Sequence, residues 1–130
     1  VSRFLDTNVA LYLISDNPKK NRSADILQDP RNVVSVQVLN EFVSVAFRKY
    51  KLDWARIKLT LAYLRRQCEI VPLTLEVHAR AVEIAERYRY HIYDACIIAA
   101  AEASGAEILY SEDLRSGQRF GALEVVNPYL

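Results

Sequence analysis

His91-Ile92-Tyr93-Asp94-Ala95-Cys96-Ile97-Ile98-Ala99-Ala100-Ala101-Glu102-Ala103-Ser104-Gly105 is the stretch around which the rest of the chain is organised. From Ala95 to Ala101 there is no polar side chain, and a carboxylate stands one residue before that run. The run is alanine-rich and helix-favouring, and Gly105 stands where a helix C′ residue belongs, so the pattern predicts a helix covered on all sides. Small side chains let neighbouring elements come close, which makes this a central helix and not a surface one. Asp94 falls in its first turn, where the helix dipole and free N–H groups favour a negative charge. Taken alone, Asp94 needs no role beyond capping. Three further acids, Asp6, Glu41 and Asp113, each stand at the edge of an otherwise apolar element. Four such placements ask for more than caps.

The chain around that helix is long enough to bury it. With 130 residues and 52% hydrophobic composition, residues 1–130 are expected to form one domain with a core that needs no covalent staples. Lys and Arg number 17 against 16 Asp and Glu, a formal net charge of +1. Any electrostatic argument about nucleic acid must therefore come from the distribution of charge. Cys68 and Cys96 do not make a disulfide framework and read as buried free thiols, consistent with a reducing cytoplasm. No apolar run approaches the ~20 residues of a membrane span, and no basic, cleavable leader precedes Phe4, so a cytoplasmic protein without membrane association is expected. The chain opens on Val1 and has no methionine, which reads as an initiator removed or left outside the numbering.

Before the central helix, Arg3 to Asp6 reads as a short buried strand ending on a carboxylate, with Thr7-Asn8 as a turn and Val9 to Ile14 as a short helix. A polar helix follows from about Lys19 to Gln28, stopped by Asp29-Pro30, and Val33 to Ser35 is a second strand. Between Val36 and Tyr50 apolar residues fall at Leu39, Phe42, Val43, Ala46, Phe47 and Tyr50, the spacing of a helix with one face in the core. Glu41 does not lie on the polar side of that helix, since its i−3 and i+4 neighbours are Val38 and Val45. An unpaired carboxylate there is costly to bury, so a positive group is expected to meet it. Asp53 caps a helix to about Arg66 with Trp54, Ile57, Leu61 and Leu64 inward. Glu69 to Val71 makes a third strand, Thr74 caps a helix to Tyr88, Glu107 to Tyr110 makes a fourth strand and Leu123 to Val126 a fifth. Strands alternating with helices predict an α/β domain with a mostly parallel sheet.

In such a sheet ligands bind at the carboxyl ends of the strands. Asp6 and Asp113 each stand at the end of a predicted strand, and Asp94 and Glu41 begin or enter helices that follow from that same edge. Four carboxylates at one edge cannot all ionise in a bare pocket, because like charges at short range oppose one another. Divalent cations resolve the conflict, and carboxylate and water oxygens suit Mg²⁺ or Mn²⁺. His78 and His91 are the only histidines and form no zinc spacing. A hydrated Mg²⁺ on carboxylates is an arrangement for phosphoryl chemistry.

The set Asp6-Thr7-Asn8, Glu41 on a buried helix, Tyr93-Asp94-Ala95 opening an apolar one, and Ser111-Glu112-Asp113 resembles the PIN-domain nucleases. The ending Ser111-Glu112-Asp113-Leu114, Gly117-Gln118 and Asn127-Pro128-Tyr129 resembles in particular the VapC-type toxins of toxin–antitoxin pairs. The resemblance runs from Phe4 to Tyr129. It implies a three-layer α/β/α fold with a mostly parallel, five-stranded sheet. It also implies a Mg²⁺- or Mn²⁺-dependent endoribonuclease with catalytic and metal-holding Asp6, Glu41, Asp94 and Asp113. Asn8 and Ser111 would orient carboxylates or the metal's water, and Glu112 is either a fifth acid or a solvated neighbour of Asp113. An RNA substrate, a cognate antitoxin and a homodimer follow from the same resemblance.

Softer signals leave two readings each. Between Arg48 and Arg66 the chain carries Arg48, Lys49, Lys51, Arg56, Lys58, Arg65 and Arg66 against one acid, Asp53. That is either a phosphate-tracking surface for RNA, with Arg48, Lys49, Arg65 and Arg66 as contacts, or a solvated helix face. Tyr93, adjacent to Asp94, is the tyrosine placed to stack on a base, whereas Tyr12, Tyr63 and Tyr88 sit at core spacing. A phosphoacceptor receiver domain would need a late lysine, and the last here is Lys58. A haloacid-dehalogenase-like phosphatase would need an aspartate where Asn8 stands. A non-catalytic RNA-binding or regulatory α/β module is the alternative that only an assay separates.

Overall fold

The computed structural model describes residues 2–130. Six strands form one sheet: β1 (Arg3–Leu5), β2 (Asn32–Ser35), β3 (Glu69–Val71), β4 (Ile108–Tyr110), β5 (Arg119–Phe120) and β6 (Leu123–Val126). Their spatial order is β3-β2-β1-β4-β6-β5, parallel throughout except for the β5–β6 pair. The sequence reading of five strands lacks β5, a two-residue edge strand that turns through Gly121 (φ 61°) back onto β6. Two residues give no alternation to read, so nothing in the pattern marks it.

Helices fill the connections: α1 (Thr7–Leu11), α2 (Lys20–Leu27), α3 (Val36–Arg48), α4 (Trp54–Gln67), α5 (Leu75–Tyr88) and α6 (Ile92–Ala103). The path steps from β1 to β2 to β3 in one direction and then returns across the sheet to β4. With right-handed crossovers, that reversal puts α1–α4 on one face and α5–α6 on the other, a three-layer α/β/α arrangement. The reversal also leaves a crevice between the carboxyl ends of β1 and β4, where open parallel sheets bind ligands.

Helix α6 is the buried helix its composition predicts. Every residue from Ala95 to Ala101 is at most 5% exposed. Gly105 (φ 78°) ends it in a Schellman motif, with Gly105 N–H donating to the Glu102 carbonyl and Ala106 N–H to that of Ala101. Its N-cap is His91, whose Nδ1 accepts from Tyr93 N–H at 3.1 Å, so Asp94 is free of that duty. Cys68 and Cys96 are both buried and free.

Two expectations fail on α3 and α4. Trp54 and Phe47 are 51% and 47% exposed and stack on each other instead of entering the core. Helical periodicity locates an apolar face without saying which neighbour covers it, and at the α3–α4 corner the two rings cover each other. The Thr7-Asn8 turn is likewise the first turn of α1, capped by Asp6. Among the described residues no helix is long and apolar enough to cross a membrane.

Candidate active site

Asp6 follows β1 directly, and its N–H donates to the Tyr110 carbonyl at the end of β4, so the carboxylate is fixed at the crevice. Its Oδ1 accepts from Thr7 N–H and its Oδ2 from the Ser111 hydroxyl, both at 2.7 Å. Ser111 is itself buried and accepts through Oγ from the N–H groups of Asp113 and Leu114, which ties the turn after β4 to Asp6. Burial pushes the Asp6 carboxyl up to about 7; the hydrogen bonds from Ser111 and Thr7 resist that rise, and the nearby Asp113 and Asp94 charges add to it. Loss of hydration on burial outranks carboxylate repulsion in raising Asp6.

The other three acids come from three different elements and line the same cleft. Asp6, Glu41, Asp94 and Asp113 surround a cavity of about 320 Å³ together with Thr7, Asn8, Leu11, Ser44, Val45, Arg48 and Tyr93. Glu41 projects from the second turn of α3 and accepts from the Thr7 hydroxyl at 2.8 Å. The expected positive partner is thus a neutral hydroxyl; among the described residues no cation forms an ion pair with Glu41. Thr7 has no role in the sequence pattern, yet it lies between Asp6 and Asn8 and orients Glu41. Asn8 Nδ2 donates to Asp113 Oδ2 at 2.7 Å. Desolvation in the cleft raises the Asp113 carboxyl, with Glu112 and Asp94 adding to the rise and Asn8 and Lys19 opposing it. Asp94 is raised by desolvation, with His91 opposing.

Glu112, one residue away, faces elsewhere. It accepts from Lys19 Nζ at 2.6 Å and from the Tyr12 hydroxyl. Burial would raise its carboxyl, but those two donors outweigh that and hold it below the ordinary range. In the turn after β4 the two side chains part, Glu112 toward Lys19 and Tyr12 and Asp113 toward Asn8, which is why adjacency to Asp113 misleads. Arg65 and Arg66 close α4 immediately before β3, at the edge where parallel strands begin and therefore across the sheet from the cleft. Lys49 is exposed and does not line the cleft, whereas Arg48 and Tyr93 do.

The donor set fits a hard divalent cation. Its ligating atoms are all oxygen, and among the described residues neither Asp94 oxygen nor Asp113 Oδ1 accepts a hydrogen bond. No three His, Cys, Asp or Glu side chains among the described residues are gathered to enclose an ion on protein atoms alone.

The model of the PIN domain family matches residues 3–119. No curated protein matches the chain in sequence. Among solved structures, the chain is similar to a toxin–antitoxin complex from Klebsiella pneumoniae, at 25% identity, 98% coverage of each chain and a TM-score of 0.75. A VapBC structure from nontypeable Haemophilus influenzae aligns over 100% of both chains at 18% identity and a TM-score of 0.73. A sarcin–ricin-loop-cleaving VapC toxin of Mycobacterium tuberculosis aligns at 20% identity and a TM-score of 0.71, covering 85% of this chain and 88% of that one. The last two similarities speak for the fold alone.

Proposed function

The chain belongs to the PIN-domain family, whose model spans residues 3–119, and from that premise we propose that it is a metal-dependent endoribonuclease and the toxin of a toxin–antitoxin pair. The observation that carries the reading is the convergence of Asp6, Glu41, Asp94 and Asp113 on one cleft at the β1–β4 crevice. Asp6, Asp94 and Asp113, with Glu41, would hold Mg²⁺ or Mn²⁺. When bound, such an ion activates water and neutralises charge on the phosphate under attack.

The protein's own groups prepare that chemistry. Ser111 and the Thr7 N–H fix both Asp6 oxygens, Thr7 Oγ1 orients Glu41, and Asn8 orients Asp113. In the metal-free protein burial pushes the Asp6 carboxyl up to about 7, a rise that a bound cation would oppose. Arg48, the cation lining the cleft, is placed to receive a substrate phosphate. Tyr93, 55% exposed at the mouth, offers a ring face to a base.

The antitoxin partner is carried over from the toxin–antitoxin complex that the chain matches over 98% of its length. A cytoplasmic homodimer completes the reading. Incubation of the purified protein with structured RNA tests it. Internal cuts that require Mg²⁺ or Mn²⁺ and stop in chelator are expected; binding without cleavage in either metal would favour a non-catalytic RNA module.

A further inference from the structure

Outside the acid cleft, the feature without an assigned use is the pair of rings at the α3–α4 corner. Phe47 and Trp54 lie with centroids 5.0 Å apart and planes 28° from parallel, yet remain 47% and 51% exposed. Stacked rings left in water are an unspent association surface. The segment between them carries Arg48, Lys49 and Lys51, all exposed. Lys51 holds a left-handed backbone (φ 54°), a conformation seldom adopted by a lysine. Arg48 lines both the acid cleft and a second cavity formed with Phe47, Lys51, Leu52 and one acid, Asp53, whose carboxylate accepts from the Arg56 N–H. Ser44 holds Arg48 there, its hydroxyl oxygen accepting from the guanidinium at 2.7 Å. Glu41, Ser44 and Arg48 share one face of α3, so Arg48 stands roughly 10 Å along the helix from Glu41, between the carboxylates and the rings.

We propose that the Phe47–Trp54 stack is a platform for an unpaired base of the RNA substrate, with Arg48 and Lys51 holding the phosphates that link that base to the acid cleft. The proposal rests on the ribonuclease reading and adds to it the residues that would hold a base beside the cut. A ring face accepts any base but only one that is splayed out of a helix. The cations beside it offset the repulsion that the acid cleft exerts on a polyanion. An apolar peptide would also cover the rings, but it gives no use to a cation shared with the cleft.

Trp54 is the only tryptophan in the chain, so its fluorescence reports on the platform directly. The experiment titrates the intact protein, in chelator, with short single-stranded oligouridylate, with an abasic oligomer of the same length and with duplex RNA. Quenching that follows binding of the base-bearing strand and is absent with the abasic one is expected. Trp54→Ala should weaken single-strand binding about 5- to 150-fold without changing its salt slope, and Trp54→Tyr should restore most of the affinity. Arg48→Ala should lower the slope by about one unit. Metal-dependent cleavage by the wild type together with unchanged binding by folded Trp54→Ala overturns the platform alone. Unchanged RNA binding with lost antitoxin binding assigns the rings to a protein partner and overturns it equally. A wild type that neither binds nor cuts RNA removes the ribonuclease reading and the platform together.

Discussion

Replacing Asp6 by Asn should stabilise the metal-free protein, by an amount that depends on pH in a defined way. Asp6 is raised from 3.8 to about 7 in the fold, chiefly by burial. Between those values the native state holds a proton that the unfolded state has released, so stability falls as pH rises. The favourable contribution is complete below about 3.8 and lost as pH passes about 7. A displacement of about three units corresponds to at most about 4 kcal/mol. The amide keeps an acceptor for Thr7 N–H but makes the Ser111 hydroxyl accept where it now donates, while Ser111 already accepts from Asp113 and Leu114. That mismatch costs about 1 kcal/mol, leaving a net gain of about 2–3 kcal/mol above pH 7. An unfolding entropy of ~2.1 cal/mol/K per residue over 130 residues converts this to a rise in Tm of about 7–11 °C. The assay is thermal melting of both proteins in chelator from pH 4 to 8. Asp29 and Glu112 shift in the opposite direction and cancel in the difference between the proteins, whereas Asp94 and Asp113, which repel Asp6, lose that repulsion in the variant and add to its gain in stability. A difference that does not grow between pH 4 and pH 7 would refute a raised Asp6 carboxyl.

Other perturbations separate the parts of the site. Mg²⁺ or Mn²⁺ at a hundredfold excess over its dissociation constant should stabilise the wild type by about 2.7 kcal/mol; Glu41→Gln, which can still accept from Thr7, should blunt that gain, and equal metal-induced shifts in melting would remove Glu41 from the metal pocket. Arg65→Glu with Arg66→Glu should leave RNA affinity and its salt slope unchanged, because both residues stand across the sheet from the cleft; a drop in slope of about two units would place RNA phosphates there after all. Glu112→Gln should retain cleavage, since its carboxylate is committed to Lys19 and Tyr12; a loss beyond about tenfold in single-turnover rate would make it a member of the site.

What the sequence made legible follows from where local rules and packing agree. The apolar run of α6 has one solution, full burial, because no face of it can meet water. Asp6, Glu41, Asp94 and Asp113 stood out because each interrupts an apolar element, and the fold brings all four to one cleft. Proximity along the chain served less well. Arg65 and Arg48 lie in one basic segment, yet the length of α4 separates them, about 21 Å for 14 residues. Glu112 adjoins Asp113 and points away. Phe47 and Trp54 sat at core spacing, and only the three-dimensional corner shows that they cover each other and remain half in water. Thr7 was hidden for a different reason: a threonine hydroxyl has no pattern, and its reach to Glu41 spans 34 residues of chain.

Asp94→Asn probes whether RNA cleavage depends on a cation held by the carboxylates of the cleft. Asp94 is half-buried, opens the central helix without capping it, and its oxygens accept no hydrogen bond among the described residues, so the amide should keep the fold while losing the charge a hard cation requires. The measurement is the rate of internal RNA cleavage in Mn²⁺ by wild type and Asp94→Asn, with circular dichroism and melting to verify folding. Cleavage by the wild type, none in chelator, and loss of cleavage in a folded Asp94→Asn protein are expected. A folded Asp94→Asn protein that cuts RNA at the wild-type rate would contradict that dependence.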